Sequence, residues 1–150
     1  MKRPDFMALA LAEAEAAAAR GEVPVGAVLA SENTVVASAG NRTRELNDPT
    51  AHAEMLAIRE ASQKLSAERL TDLDLYVTLE PCTMCAGAIS FARIRRLYYG
   101  AADEKGGAVV NGVRFFASPT CHHTPDIYPG IAESDAAKLL KEFFQARREP

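Results

Sequence analysis

The chain has 150 residues, of which 48% are hydrophobic and 25% are charged, which is typical of one soluble globular domain over residues 1–150. A formal net charge of -3 excludes binding of nucleic acid through overall positive charge, although local arginine clusters can still make contacts. Three cysteines, an odd number, argue against a disulfide framework. No stretch reaches the roughly 18 apolar residues of a membrane span, so we expect no membrane association and a cytoplasmic protein.

The first predicted element is a helix over residues 5–20, where apolar residues recur at helical spacing before Gly21. Its basic start also resembles a secretory leader, but acidic residues flank the short apolar run, which favours an alanine-rich amphipathic helix. Two short strands follow, Val23–Leu29 and Thr34–Ala39, and the turn between them predicts a hairpin.

After a loop over residues 40–50, Asp48 or Thr50 is expected to cap a helix that runs to about Leu65. Strands and helices then alternate: a strand over Leu73–Leu79, a helix over Thr83–Ala92, a strand over Arg95–Tyr99, a strand near Asp126–Tyr128 and a helix over 131–148. The strand–helix–strand unit predicts a parallel crossover. Together with the hairpin, it predicts an α/β sandwich with a mixed sheet.

Four polar residues lie at two predicted helix starts. Cys82 and Cys85 lie where a strand gives way to a helix, and the free N–H groups of a helix N-terminus stabilise the thiolates that bind metal. His52 and Glu54 lie at another helix start, where positions i and i+2 point about 200° apart. Both can serve one site only if it lies beyond the helix end, so two helix N-termini must converge.

Three ligands, His52, Cys82 and Cys85, indicate a catalytic zinc site with one position open for water, because structural zinc sites usually have four protein ligands. Zinc lowers the pKa of bound water to about 7, and Glu54 is placed to move that proton as a general acid–base.

Two other interpretations of the cysteines remain open. Cys-x-x-Cys alone is also found in redox pairs. A structural zinc site would need a fourth ligand, for which the candidates are Cys121, His122 and His123. A structural site, however, has no need of Glu54 at this spacing.

His-x-Glu and Pro-Cys-x-x-Cys, about 25 residues apart, form together the signature of zinc nucleobase deaminases. Over nearly its whole length the chain resembles the bacterial tRNA-specific adenosine deaminases. The matching segments are residues 22–28, 41–43, 48–54, 75–89, 99–101 and 141–144, with Arg147 and Arg148.

The resemblance implies the cytidine-deaminase-like fold, a three-layer sandwich with a five-stranded mixed sheet between helices, and a homodimer. It implies hydrolytic deamination of the wobble adenosine in a tRNA anticodon loop to inosine. One zinc ion per chain would be held by His52, Cys82 and Cys85, and Glu54 would shuttle protons to and from the activated water.

The resemblance also implies contacts with the substrate. Asn41 matches a position that reads the base, since an amide both donates and accepts hydrogen bonds. The other expected contacts are Val25, Ala27 and Pro81 in the pocket wall, Asp103 in a loop beside the RNA, His122 where relatives often have asparagine, and Arg147 and Arg148 at phosphates. In the C-terminal helix, Phe143 belongs to an apolar stripe and is expected in the core.

Two other functions fit parts of the sequence. A guanine deaminase would use the same metal site on a free base, but the segment Asn41–Thr43 and the basic C-terminus suit RNA better. A non-catalytic, zinc-stabilised RNA-binding module is the other alternative, and Glu54 with an open zinc position argues against it.

Overall fold

The computed structural model describes residues 4–148, without the side chain of Arg148. The helices are α1 (Phe6–Ala19), α2 (Ala53–Leu65), α3 (Thr83–Phe91) and α4 (Glu133–Arg148). The strands are β1 (Gly26–Ser31), β2 (Thr34–Gly40), β3 (Asp74–Leu79), β4 (Arg96–Ala101) and β5 (Asp126–Tyr128), and a single 3-10 turn covers Phe115–Ala117. Within the described residues, no helix combines the length and the apolar character that crossing a lipid bilayer requires.

The five strands form one mixed sheet in the order β2-β1-β3-β4-β5. β1 pairs antiparallel with both β2 and β3, whereas β3, β4 and β5 run parallel to one another. The predicted hairpin and the parallel β3–α3–β4 unit are therefore confirmed, as is the five-stranded mixed α/β fold.

Alternating residues of each strand face the two helical layers, because successive side chains of a strand point to opposite faces. In β1, Ala27 and Leu29 pack with α2 and α3, while Val28 and Ala30 pack with α1. Gly26 allows α1 to approach the sheet closely, since a Cβ there would collide with the Ala10 carbonyl oxygen. The α2 and α3 layer lies on the face that bears the histidine and cysteine motifs.

Most predicted boundaries lie within two residues of the observed ones, and two of the differences have a clear structural cause. β1 begins at Gly26 rather than Val23, because Pro24 has no N–H for the ladder and the Val25 N–H instead donates to the Val23 carbonyl at 2.8 Å. The N-cap of α2 is His52, and Asp48 instead accepts hydrogen bonds from the backbone N–H and the hydroxyl of Thr50 at 2.8 and 2.7 Å.

Candidate active site

The candidate metal centre is built by the first residues of α2 and α3. His52 is the N-cap of α2 and Cys82 is the N-cap of α3, and neither side chain makes a capping hydrogen bond within the described chain. Ser, Thr, Asp and Asn are preferred at this position because their oxygens bind free N–H groups, and losing such a cap costs about 0.5–2 kcal/mol. Both helices forgo that stabilisation, which leaves the imidazole and the thiol available for a ligand.

The three donor atoms lie at distances that suit a tetrahedral zinc ion. His52 Nδ1 lies 3.6 Å from Cys82 Sγ and 3.5 Å from Cys85 Sγ, and all three donor atoms lie within 4.8 Å of one another. Zn–S bonds of about 2.3 Å and Zn–N bonds of about 2.0 Å at tetrahedral angles place sulfur and nitrogen about 3.5 Å apart. The donor set therefore fits zinc, and the expected convergence of two helix starts is confirmed.

The alternative fourth ligands lie elsewhere. Among residues 4–148 the group of possible metal ligands contains His52, Cys82 and Cys85 alone. The Cys121 thiol lies 3.5 Å from Ser90 Oγ and donates to the His123 carbonyl at 3.1 Å, and His122 is exposed. The geometry therefore favours three protein ligands over a closed four-ligand site.

Close contact and burial shift the pKa of each group at this centre. A hydrogen bond with Cys85 lowers the pKa of the Cys82 thiol to about 4, and the same contact raises the pKa of Cys85. The hydrogen bond with Cys82 raises the pKa of His52. Glu54 is 4% exposed, and its burial raises the pKa of its carboxyl, so this carboxyl takes up a proton more readily than an exposed glutamate.

A cavity of about 340 Å³ opens onto the metal centre, and His52, Glu54 and Cys82 form part of its lining. Ligand pockets commonly begin at about 300 Å³. Val25, Asn41 and Asp103, three of the residues expected to contact substrate, line the same cavity. Residues that lie far apart in the sequence thus meet at one pocket.

Asn41 is the lining residue with an unused polar atom. Its side chain is buried, and its Oδ1 is the one buried side-chain oxygen or nitrogen of residues 4–148 that lacks a hydrogen-bond partner. Its backbone is held on both sides: the N–H donates to Val25 at 3.1 Å, and the carbonyl accepts from Arg20 Nη2 at 3.3 Å. An unpaired buried acceptor is costly, so this amide is suited to a polar ligand in the cavity.

The remaining expected contacts lie away from the lining. Ala27 is in the core, and Pro81 is buried with its carbonyl accepting from the Ala108 N–H at 2.9 Å. His122 is exposed, and the Arg147 guanidinium lies 3.5 Å above the ring of Phe143 in α4. Phe143 is buried as expected, and the side chain of Arg148 lies outside the described part of the chain.

Two buried carboxylates were not predicted from the sequence, and one of them lines the cavity. Glu22, 1% exposed, accepts hydrogen bonds from the backbone N–H groups of Arg44 and Glu45 at 3.1 and 2.8 Å. Glu80, 2% exposed, lines the cavity and accepts backbone hydrogen bonds from Asp103 and from residues 109–111. The signal for Glu80 was available: an acidic residue directly after a buried apolar strand needs a partner.

Burial raises the pKa of Glu80, but the hydrogen bonds from Asp103 and Asn111 outweigh it, so the pKa lies below the ordinary value. The carboxylate is therefore held in its charged form by the donors around it. Thr43, which the sequence analysis did not single out as a site residue, lines the cavity as well.

A family model described as MafB19-like deaminase matches residues 1–148. The tRNA-specific adenosine deaminase of Agrobacterium fabrum is 65% identical over 147 residues, which cover 98% of this chain and 97% of that protein. The chain belongs to the family of tRNA-specific adenosine deaminases. The prediction made from the sequence motifs is therefore confirmed.

Solved structures give the same relationship. One solved structure superposes on this chain with a TM-score of 0.89 at 67% identity. It comes from biochemical and structural studies of A-to-I editing by tRNA:A34 deaminases at the wobble position of tRNA. The match covers 90% of this chain and 98% of the other. A guanine deaminase from Bacillus subtilis is more distant, with a TM-score of 0.68 and 30% identity over 100% of this chain and 96% of the other.

Proposed function

We infer that the protein hydrolyses adenosine at the wobble position of tRNA to inosine and ammonia. The observation that carries this conclusion is the cavity in which Asn41 and Glu54 border the His52, Cys82 and Cys85 group. Its support is the 65% identity to a tRNA-specific adenosine deaminase over almost the whole chain.

We propose that His52, Cys82 and Cys85 hold one zinc ion, which supplies Lewis acidity next to the cavity. Glu54 takes a proton from the attacking water as the water oxygen bonds to C6 of the base. It delivers that proton to the ring nitrogen N1. It then takes the second proton from the new hydroxyl group on C6 and passes it to the amino group, so that the C6–N6 bond breaks as the C6 carbonyl forms. Ammonia leaves with one of the water protons, and inosine keeps the other on N1.

We propose that Asn41 recognises the base. An amide presents a donor and an acceptor side by side, which matches the amino group and the adjacent ring nitrogen of adenine. The free Oδ1 of Asn41 is available for one of these bonds. Val25 supplies apolar surface to the same cavity, which suits a base turned out of its stack.

The wider tRNA contacts are proposals that rest on the family relationship. The anticodon loop is the docking element, with Asp103 at the cavity edge and His122, Arg147 and Arg148 as exposed or terminal candidates outside it. A homodimer in the cytoplasm is the proposed working form. Ala27 and Pro81 are absent from the cavity lining, so we propose no direct contact between them and the base.

The function is tested by offering the purified, zinc-loaded protein an adenosine-wobble tRNA, free guanine and free cytidine. We expect ammonia and inosine from the tRNA alone. Turnover of guanine without turnover of tRNA would instead establish a guanine deaminase.

Glu54→Gln is the matched variant for the same assay. It should lower kcat by about 10²–10⁴-fold, because general acid–base catalysis contributes about that much. Metal analysis should find the zinc content unchanged, since Glu54 is not in the donor group. A fully active variant would contradict the assigned role, and a variant without zinc would assign Glu54 to metal binding.

A further inference from the structure

The segment of residues 102–111 follows β4 and supplies Asp103 and Gly106 to the cavity lining. It has no regular secondary structure, so no helical or strand pattern of backbone hydrogen bonds fixes its path. The Asp103 carboxylate organises one turn by accepting from the N–H groups of Lys105 and Gly106 at 3.2 and 2.9 Å. Two backbone bonds also hold it, from the Gly107 N–H to the Asp103 carbonyl and from the Ala108 N–H to the Pro81 carbonyl, both at 2.9 Å. Most of the remaining bonds go to one residue that follows β3.

Glu80, directly after β3, binds both ends of this segment with one carboxylate. Its Oε1 accepts from the Asp103 N–H at 3.0 Å and from Asn111 Nδ2 at 2.8 Å. Its Oε2 accepts from the N–H groups of Val109, Val110 and Asn111 at 3.0, 2.9 and 3.1 Å. Hydrogen bonds to an ionised acceptor are stronger than neutral ones, so five of them hold the segment firmly.

The segment also wraps closely around the carboxylate. A Cβ at Gly107 would lie 2.5 Å from Glu80 Cδ and 2.6 Å from the Asp103 carbonyl oxygen, so glycine alone fits there. The backbone of Glu80 is anchored in turn, because its N–H donates to the Ala101 carbonyl at 2.8 Å. Glu80 thus links the end of β3, the end of β4 and the cavity wall.

We propose that Glu80 is a positioning residue that holds the 102–111 segment as the wall against which the RNA substrate binds. A purely structural buried carboxylate would stabilise the fold at any location, but Glu80 itself borders the cavity next to the wall that it holds. The RNA substrate named in this proposal rests on the proposed function. The holding of the 102–111 segment by Glu80 does not.

Glu80→Gln removes the charge and keeps the shape. The glutamine amide has one oxygen, which accepts hydrogen bonds, and one NH₂ group, which donates them. The NH₂ group therefore faces N–H groups from which it cannot accept a hydrogen bond. If the amide oxygen stays at the Oε2 position, Asn111 can turn its own side chain, but the Asp103 N–H loses its acceptor. The variant should therefore release the Asp103 end of the segment first.

The experiment compares four zinc-loaded proteins: wild type, Glu80→Gln, Gly107→Ala and Glu32→Gln. Gly107→Ala keeps the charge of Glu80 but forces the segment and the carboxylate apart, which keeps the test valid if Glu80→Gln folds poorly. Glu32→Gln makes the same charge change in the exposed turn between β1 and β2. The measurements are residue-resolved amide exchange, zinc content, and kcat and KM for an adenosine-wobble tRNA.

We expect Glu80→Gln and Gly107→Ala to raise KM by at least about tenfold, because a small displacement of a wall that contacts the substrate has a large effect. Both variants should change kcat by less than about threefold. In Glu80→Gln the Asp103 amide should exchange at least about tenfold faster, because its acceptor is lost. In Gly107→Ala the amides of Asp103 and of residues 109–111 should exchange faster, because the added Cβ forces the segment and the carboxylate apart. Zinc content should stay at the wild-type value, and Glu32→Gln should match wild type throughout.

Three outcomes would overturn the proposal: faster exchange with an unchanged KM, a higher KM with unchanged exchange, or a loss of zinc that accounts for the loss of activity. The first would make Glu80 purely structural, and the last would mean that it acts through Cys82. If wild type does not deaminate the tRNA, the proposed function fails, and the exchange data alone then support or overturn the control of the segment by Glu80.

Discussion

The cavity has two sides that are built in different ways. The metal side consists of His52, Glu54, Cys82 and Cys85, which lie within the first turns of two helices. The wall side consists of the loop 41–50 and the segment 102–111, which hydrogen-bond to Glu22 and Glu80. The bonds that Glu22 and Glu80 accept join residues 22 to 31 positions apart in the chain.

We propose that this difference separates the catalytic residues from the residues that recognise the substrate. The metal side depends on the first turns of α2 and α3 lying close together. The packing of these two helices on one face of the sheet places them there. The wall side depends on two buried charges that organise irregular backbone. Damage to the metal side should therefore remove turnover while leaving the walls in place, and damage to the wall side should weaken substrate binding while leaving the metal site in place.

The largest expected effect is on the metal side. Cys85→Ala removes a fully buried member of the proposed zinc-binding group, so the protein should bind much less zinc. Deamination should fall by at least about 10⁴-fold if zinc supplies the Lewis acidity as proposed. If the metal side and the wall side are independent, amide exchange at residues 109–111 should stay as in wild type. Faster exchange there would show that the two sides are coupled.

An intermediate effect is expected from the other wall. Glu22→Gln leaves one of the N–H groups of Arg44 and Glu45 without an acceptor, which costs about 1–3 kcal/mol of folding stability. The loop that carries Asn41 should loosen, and KM for tRNA should rise by about tenfold. Urea unfolding and steady-state kinetics check both values. A fall in kcat with constant KM would place Glu22 on the metal side.

The smallest effect is expected outside both sides. Arg147→Ala removes the guanidinium that lies over Phe143 and should lower stability by about 0.5–1 kcal/mol. If Arg147 contacts a phosphate of the anticodon loop, the slope of log K against log salt should fall by about 0.7 in magnitude. The kcat should stay unchanged, and a change in kcat would extend the catalytic region to α4.

The metal side could be predicted from the sequence because its information is local. His52 and Glu54 are two positions apart, Cys82 and Cys85 are three apart, and both pairs follow recognisable signals for a helix start. The spacing alone required an end-on site, and the structure has one. The hairpin and the crossover were predictable for the same reason, since neighbouring elements pair.

The wall side could not be predicted in the same way. Glu22 and Glu80 bind backbone N–H groups, which every residue except proline carries, so their partners leave no pattern in the sequence. The start of β1 was misplaced because β-branched Val23 and Val25 predict a strand, whereas Pro24 and a tight turn send this stretch to the cavity lining. The exposure of His122 depends on packing between distant segments, which periodicity does not report.

The open caps of α2 and α3 have a consequence for engineering. A search for thermostable variants favours good caps, and serine at Cys82 or aspartate at His52 would improve a helix end in isolation. Each such gain would remove a donor atom from the site. At these two positions, selection for activity and selection for stability therefore oppose each other.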